Sequence, residues 1–213
     1  MSIARPFENE PRFPGFHPLT EEQRWDEATR DRVRWRTDPP PPHFFTSEEQ
    51  RTAGALLDRL MGQPPGPDGR HVPLMAMVDV RLTHDQTDGW AYDTMPADRD
   101  AWRCSLAALD EDAHDRAGCS FDALDETAQC ELIEAVRTWP GDRWHDLPPV
   151  QLWSLWTRYA ATAFYSHPGA WAEIGFDGPA YPRGYRNLGI DRLEGIEVRD
   201  ADPDAGARSA EAG

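Results

Sequence analysis

The sequence predicts an all-α protein: a small, irregular helical domain with an extended N-terminal arm and an aromatic, Gly- and Pro-rich segment wrapped along a surface near its C-terminus. Three observations carry that expectation. Five segments between residues 44 and 166 repeat apolar residues at helical spacing, and no stretch shows the period-two alternation of a strand. The flanking sequence holds prolines and isolated rings instead of aliphatic core residues. The expected organisation is an arm over 1–43, a helical domain over 44–166, a wrapping segment over 167–198 and a disordered tail over 199–213.

In the arm, Pro6, Pro11, Pro14 and Pro18 favour an extended path, and Pro39 to Pro42 form a stiff hinge that can be neither helix nor sheet interior. A weak helix is expected around "TEEQRWDEATRDRVRW", where Trp25 and Val33 or Trp35 recur near helical spacing. The rings of Phe13, Phe16, Trp25 and Trp35 are too scattered to form one compact face, which suits an arm that grips another protein.

The five helices follow in order. "TSEEQRTAGALLDRLMG" opens with a capping box from Thr46 to Glu49 and places Ala53, Leu56, Leu57, Leu60 and Met61 on one face. "VPLMAMVDVRL" has Pro73 at a first helical position and a stripe of Leu74, Met77, Val78 and Leu82. "ADRDAWRCSLAALDEDAHDRAG" sets Trp102, Leu106, Leu109 and Ala113 on one face and ends at Gly118. "LDETAQCELIEAVRTW" groups Ala128, Leu132, Ala135 and Val136. "PPVQLWSLWTRYAATAFY" is apolar nearly all round, through Leu152, Trp153, Trp156, Tyr159, Ala160, Ala163 and Phe164, and is expected to be central. The tail "RDADPDAGARSAEAG" has no apolar residues to fold with beyond alanine.

Charge narrows the partners. The 213 residues carry 22 basic and 38 acidic side chains, a net of −16, which repels a nucleic-acid backbone or an anionic membrane. No apolar run is long enough to span a membrane. The opening residues contain neither a twin-arginine pair nor an apolar signal core, so a cytoplasmic protein is expected. Nine tryptophans in a chain of low aliphatic content mean that burial depends on a few large rings, which are also the preferred anchors of protein interfaces.

The sequence contains no self-contained active site. No GxGxxG follows a strand and no P-loop is present, so no flavin or nucleotide site is expected in this chain. "THDQTDG", with His84, lacks the alternating acids of a calcium loop. His114 and Asp110 form one i, i+4 pair, which a solvated acidic face explains. Cys104, Cys119 and Cys130 lack metal or disulfide spacing; Cys104 and Cys130 are expected as buried, inert thiols. His167 before Pro168 is expected to cap or hydrogen-bond at a helix end.

"FYSHPGAWAEIGFDGPAYPRGY", residues 164–185, reads as no regular element. Its rings lie among Gly169, Gly175, Gly178 and Gly184 and three prolines. Glycines allow close backbone approach, prolines hold an extended path and rings fill pockets, as in a segment lying along another protein. The candidate partner interface is therefore Phe13, Phe16, Trp25, Trp35, Tyr165, His167, Pro168, Trp171, Phe176, Pro179, Tyr181, Pro182 and Tyr185, with no catalytic, cofactor-binding or metal residue. The alternative is that the segment wraps this chain's own helices.

"AFYSHP" followed by "EIGFDGPAYPRGY" closely resembles the C-terminal signature of the gluconate 2-dehydrogenase subunit 3 family. "FFTSEEQRTAGALLDRLMGQ", "VPLMAMVDVRL" and "WRCSLAALDEDAHDRAGCSFDALDETAQCELIEAV" precede it in the family's order, so the resemblance covers about Phe44 to Asp191. It implies a non-catalytic small subunit that helps a large flavoprotein of the glucose–methanol–choline oxidoreductase type to be made, folded or stabilised. The partner would hold FAD and oxidise a sugar, polyol or glycoside. Exported members carry a twin-arginine leader and many have a longer glycine-rich insertion; the shorter, leaderless form here implies a cytoplasmic complex. Competing functions are an independent metal-binding protein or enzyme using His84, His114 or His167, and a transient chaperone of the flavoprotein.

Overall fold

Helical periodicity in the sequence becomes helix wherever it was expected. The computed structural model describes residues 17–63, 71–185 and 192. Among these it is all-α, with no strand: α1 (Glu27–Thr37), α2 (Ser47–Met61), α3 (Leu74–Thr83), α4 (Asp98–Ala117), α5 (Glu126–Arg137), α6 (Pro149–Ser166) and α7 (Pro168–Ile174), with 3-10 turns at Pro18–Arg24 and Phe121–Ala123. The chain forms two units. One is Asp38–Phe164; the other combines Met1–Thr37 with Tyr165–Gly213.

In the unit Asp38–Phe164, α2 begins at the expected capping box: Thr46 Oγ1 accepts the Glu49 N–H and the Glu49 carboxylate accepts the Thr46 N–H. Gly62 ends the helix in the left-handed conformation that favours glycine. Pro73 stands one position earlier than expected, as the cap before Leu74. Asp125 caps α5 by accepting the Ala128 N–H. The apolar stripes point inward: Leu56 and Leu57 of α2, Leu74 and Leu82 of α3, Trp102, Leu106, Leu109 and Ala113 of α4, and Leu132 and Val136 of α5 are all buried.

Helix α2 packs closely against α3, α4, α5 and the turn at Phe121–Ala123, with Ala53, Leu56 and Leu57 buried. Helix α6 was expected to be central. It buries Leu152, Leu155, Trp156, Tyr159, Ala160, Ala163 and Phe164, but Val150 is exposed and its neighbours are reached through large rings. Trp156 stacks edge-on with Trp144 at 6.0 Å and donates its indole N–H to Ser105 Oγ; Tyr159 meets Trp102 at 5.7 Å. Cys104 and Cys130 are exposed, not buried as expected. In α4 the buried face runs through Ala101, Trp102, Ser105, Leu106 and Leu109, leaving position 104 on the outer side; Cys130 likewise misses the face of Gln129, Leu132, Ile133 and Val136.

The entry to this unit is fixed by a buried carboxylate. Asp79 of α3 accepts backbone N–H groups from His43 at 2.7 Å, Phe44 at 3.0 Å and Phe45 at 2.8 Å, and the Thr83 hydroxyl at 3.2 Å. These bonds turn the chain after Pro39–Pro42 so that Phe44 and Phe45 are buried, with Phe45 edge-on to Trp102. Asp79→Ala leaves buried amides without an acceptor and should lower stability by about 3 kcal/mol; Asp79→Asn, which keeps one acceptor oxygen, should lose less. Denaturant unfolding of both variants checks the order.

In the second unit the weak helix expected within the arm is present as α1, and the described part of the arm is more helical than extended. Residues 18–37 are largely helical because local polar contacts hold them: Asp26 accepts the Thr29 N–H at the start of α1, Arg34 pairs with Glu22 at 3.0 Å, and Arg30 donates to the Glu22 and Trp25 carbonyls. Nor is 164–185 irregular throughout, since 168–174 forms α7. Trp25, Val33 and Trp171 make a small core, with Leu19 and Phe176 against it. Trp25 and Trp171 meet edge-on at 6.5 Å. Gly178 has φ +87°, and a Cβ there would lie 2.5 Å from the Trp25 ring, so only glycine fits.

His167 caps α7, as a helix-end role predicted, although the helix is the one that follows it. Its Nδ1 accepts the Gly169 N–H at 3.0 Å, which places the ring proton on Nε2. Burial, and then the positive charge of Arg36, push its pKa from 6.5 down to about 4. The unfolded chain therefore binds the proton first, so this unit loses stability as pH falls from about 6.5 toward about 4. Protection of the α7 amides, taken relative to the intrinsic exchange rate at each pH, should fall over that window, and His167→Asn, a cap that does not titrate, should remove this contribution.

Candidate partner interface

In the unit Asp38–Phe164, the connection from α3 to α4 carries an aromatic pair on a charged base. Trp90 and Tyr92 meet edge-on at 5.0 Å and are both exposed, Trp90 by 47%. The Arg158 guanidinium of α6 lies 4.6 Å from the Trp90 ring centroid and pairs with Asp88 and, at 4.0 Å, with Asp98. Arg81 also pairs with Asp88 and lies 4.2 Å from the Tyr159 ring. The Tyr159 hydroxyl donates to Asp98 at 2.7 Å; burial first, and then that bond, raise its pKa well above the usual phenol range. Burial lowers the Arg158 pKa. The result is a rigid Trp–Tyr–Arg surface, the composition of an interface anchor.

In the other unit, the thirteen interface residues expected from sequence separate by exposure. Trp25, Pro168 and Trp171 are buried in the unit's own core and cannot serve as free anchors. His167 and Phe176 are half-buried, the first as a helix cap and the second 5.3 Å from Trp171. Trp35 is half-buried beneath Arg32, 4.6 Å from its ring. Tyr165, Tyr181 and Tyr185 remain exposed, Tyr181 by 63%, together with Pro182; Pro179 is half-buried. Phe13 and Phe16 lie outside the described residues, as does the tail.

Beside Tyr181 an open groove of about 470 Å³ runs along α1, lined by Ala28, Arg32, Val33, Arg36 and Pro179 as well as Asp26 and Thr29. Arg36 donates to the Ser166 carbonyl at 3.0 Å, and burial, reinforced by nearby Arg32, lowers its pKa. The groove combines a narrow apolar floor with two cations, an arrangement that receives an acidic polypeptide more readily than a wholly apolar one.

The three histidines of the metal or enzyme alternative have separate structural settings. His84 is exposed at the end of α3, His114 is exposed with Nδ1 donating to the Asp110 carbonyl at 2.8 Å, and His167 caps α7. Among the described residues no group of three or more His, Cys, Asp or Glu side chains is arranged to hold a metal ion. The sequence reading missed Trp90 and Tyr92. The available signal was two rings spaced i, i+2 in a polar segment just after Gly89, where no helical stripe could absorb them.

Comparison with known proteins identifies the scaffold that holds these surfaces. The model of the family described as gluconate 2-dehydrogenase subunit 3 matches residues 47–178, from the first turn of α2 to the glycine packed on Trp25. No curated protein matches, and no solved structure matches. Because the matched region covers more than half of the sequence and contains α2 to α7, this chain belongs to the gluconate 2-dehydrogenase subunit 3 family.

Proposed function

We propose that this chain is the non-catalytic small subunit of an oxidoreductase complex. It stabilises and assists the maturation of a large flavoprotein of the glucose–methanol–choline type, which holds FAD and oxidises CH–OH groups of a sugar or glycoside. The family match over residues 47–178 carries this reading. Exposed Trp90, Tyr92, Tyr181 and Tyr185 support it, because a subunit needs large apolar anchors that its own core does not consume.

The exposed rings, not the buried ones, make the contact. Truncating an interface anchor typically costs about 2 kcal/mol or more of binding. Trp90→Ala and Tyr181→Ala should therefore weaken association with a co-expressed flavoprotein while leaving the melting temperature of the lone chain nearly unchanged. Trp171→Ala should instead destabilise the lone chain. On size-exclusion chromatography the flavin absorbance should travel with the complex and be missing from the isolated chain. Stoichiometric flavin on the isolated chain, or full yield and activity of the flavoprotein without it, would overturn the assignment. Release of a fully active flavoprotein after folding would replace the stable subunit with a transient chaperone.

A further inference from the structure

Four arginines alternate along α1, and they divide into two pairs. Arg30 and Arg34 are satisfied within the chain, by the Glu22 and Trp25 carbonyls and by the Glu22 carboxylate. Arg32 and Arg36 line the groove beside Tyr181. They are four residues apart, so the like charges face one another and weaken the helix. Positions 28, 29 and 35 are Ala, Thr and Trp, which offer neither arginine an acidic helical neighbour.

Neither side chain has a carboxylate partner among the described residues. Arg32 stacks on Trp35, and Arg36 donates to the Ser166 carbonyl and lies 6.0 Å from the Trp171 ring. Asp26, the one acid in the lining, accepts the Thr29 N–H. Two neighbouring guanidiniums thus share one groove without a carboxylate partner among the described residues, in a chain of net charge −16. Burial lowers the Arg36 pKa, and nearby Arg32 lowers it further, so an incoming carboxylate would relieve both the desolvation and the repulsion.

We propose that this groove receives an extended acidic segment of the partner subunit, with a carboxylate bridging Arg32 and Arg36 and an apolar side chain over Ala28 and Pro179 against Tyr181. The inference rests on the subunit reading above and adds the chemistry of the docked segment. A carboxylate held by two guanidiniums fixes direction and register, and Tyr181 supplies the apolar contact.

The experiment uses the full chain, its co-expressed flavoprotein and short overlapping synthetic peptides spanning the flavoprotein sequence. A peptide with Asp or Glu beside an apolar residue should bind the full chain, and Arg32→Glu should weaken both that peptide and the complex by at least about tenfold. Arg32 is exposed, so the variant should retain its circular dichroism and melting temperature. Changing the peptide's acid to Lys should restore binding to Arg32→Glu and abolish binding to the parent. Unchanged affinity of the variant complex, peptide binding without an acid, or loss without rescue by the charge swap would overturn the groove assignment while the subunit reading stands. A parent chain that forms no complex with the flavoprotein would remove both.

Discussion

A single buried carboxylate sets where the helical unit begins. Asp79 gathers three consecutive backbone amides, from His43 to Phe45, the last two of which would otherwise be buried without acceptors. Because the amides are successive, the turn they make has almost no conformational freedom left. Phe44 and Phe45 then fall into the core beside Trp102, and the capping box at Thr46 starts α2 in the same few residues. From that fixed start α2 presents Ala53, Leu56 and Leu57 to α3, α4 and α5. The polyproline run supplies an extended approach, but the carboxylate decides its destination.

The two patches follow one physical rule in different chemistry. An acidic chain stays soluble by repulsion, so any surface meant for close approach must gather apolar area or positive charge against that background. At Trp90 and Tyr92 the rings stand on Arg158, whose charge is balanced by Asp88 and Asp98, and the patch offers apolar contact. Along α1 the charge is left unbalanced, and the groove offers attraction. As proposed docking surfaces, one would discriminate by shape and the other by sign.

The helices of Asp38–Phe164 were legible because burial there repeats every three to four residues, and Trp102, Leu106, Leu109 and Ala113 carry that period directly. Side-chain azimuth was less legible. Cys104 and Cys130 sit close enough to the stripes to pass for buried residues, yet a step of one position rotates a helical side chain by roughly 100°. The second unit was hardest to read. Trp25 and Trp171 are separated by most of the sequence, and no local pattern announces that they meet. Their glycine and proline context describes a close approach without naming what is approached; Gly178 lies against the chain's own tryptophan. Tyr181 and Tyr185, in the same stretch, were expected in a partner interface, and both are exposed.

That long-range pairing has a consequence for synthesis. Trp25 and Val33 emerge from the ribosome early, whereas Trp171 and Gly178, against which Trp25 closes, appear more than a hundred residues later. All of Asp38–Phe164 is made in between, and domains generally fold in the order of their translation. Throughout that interval the N-terminal segment carries an indole without its native cover. The nascent chain therefore presents an uncovered ring at Trp25 until translation passes Gly178.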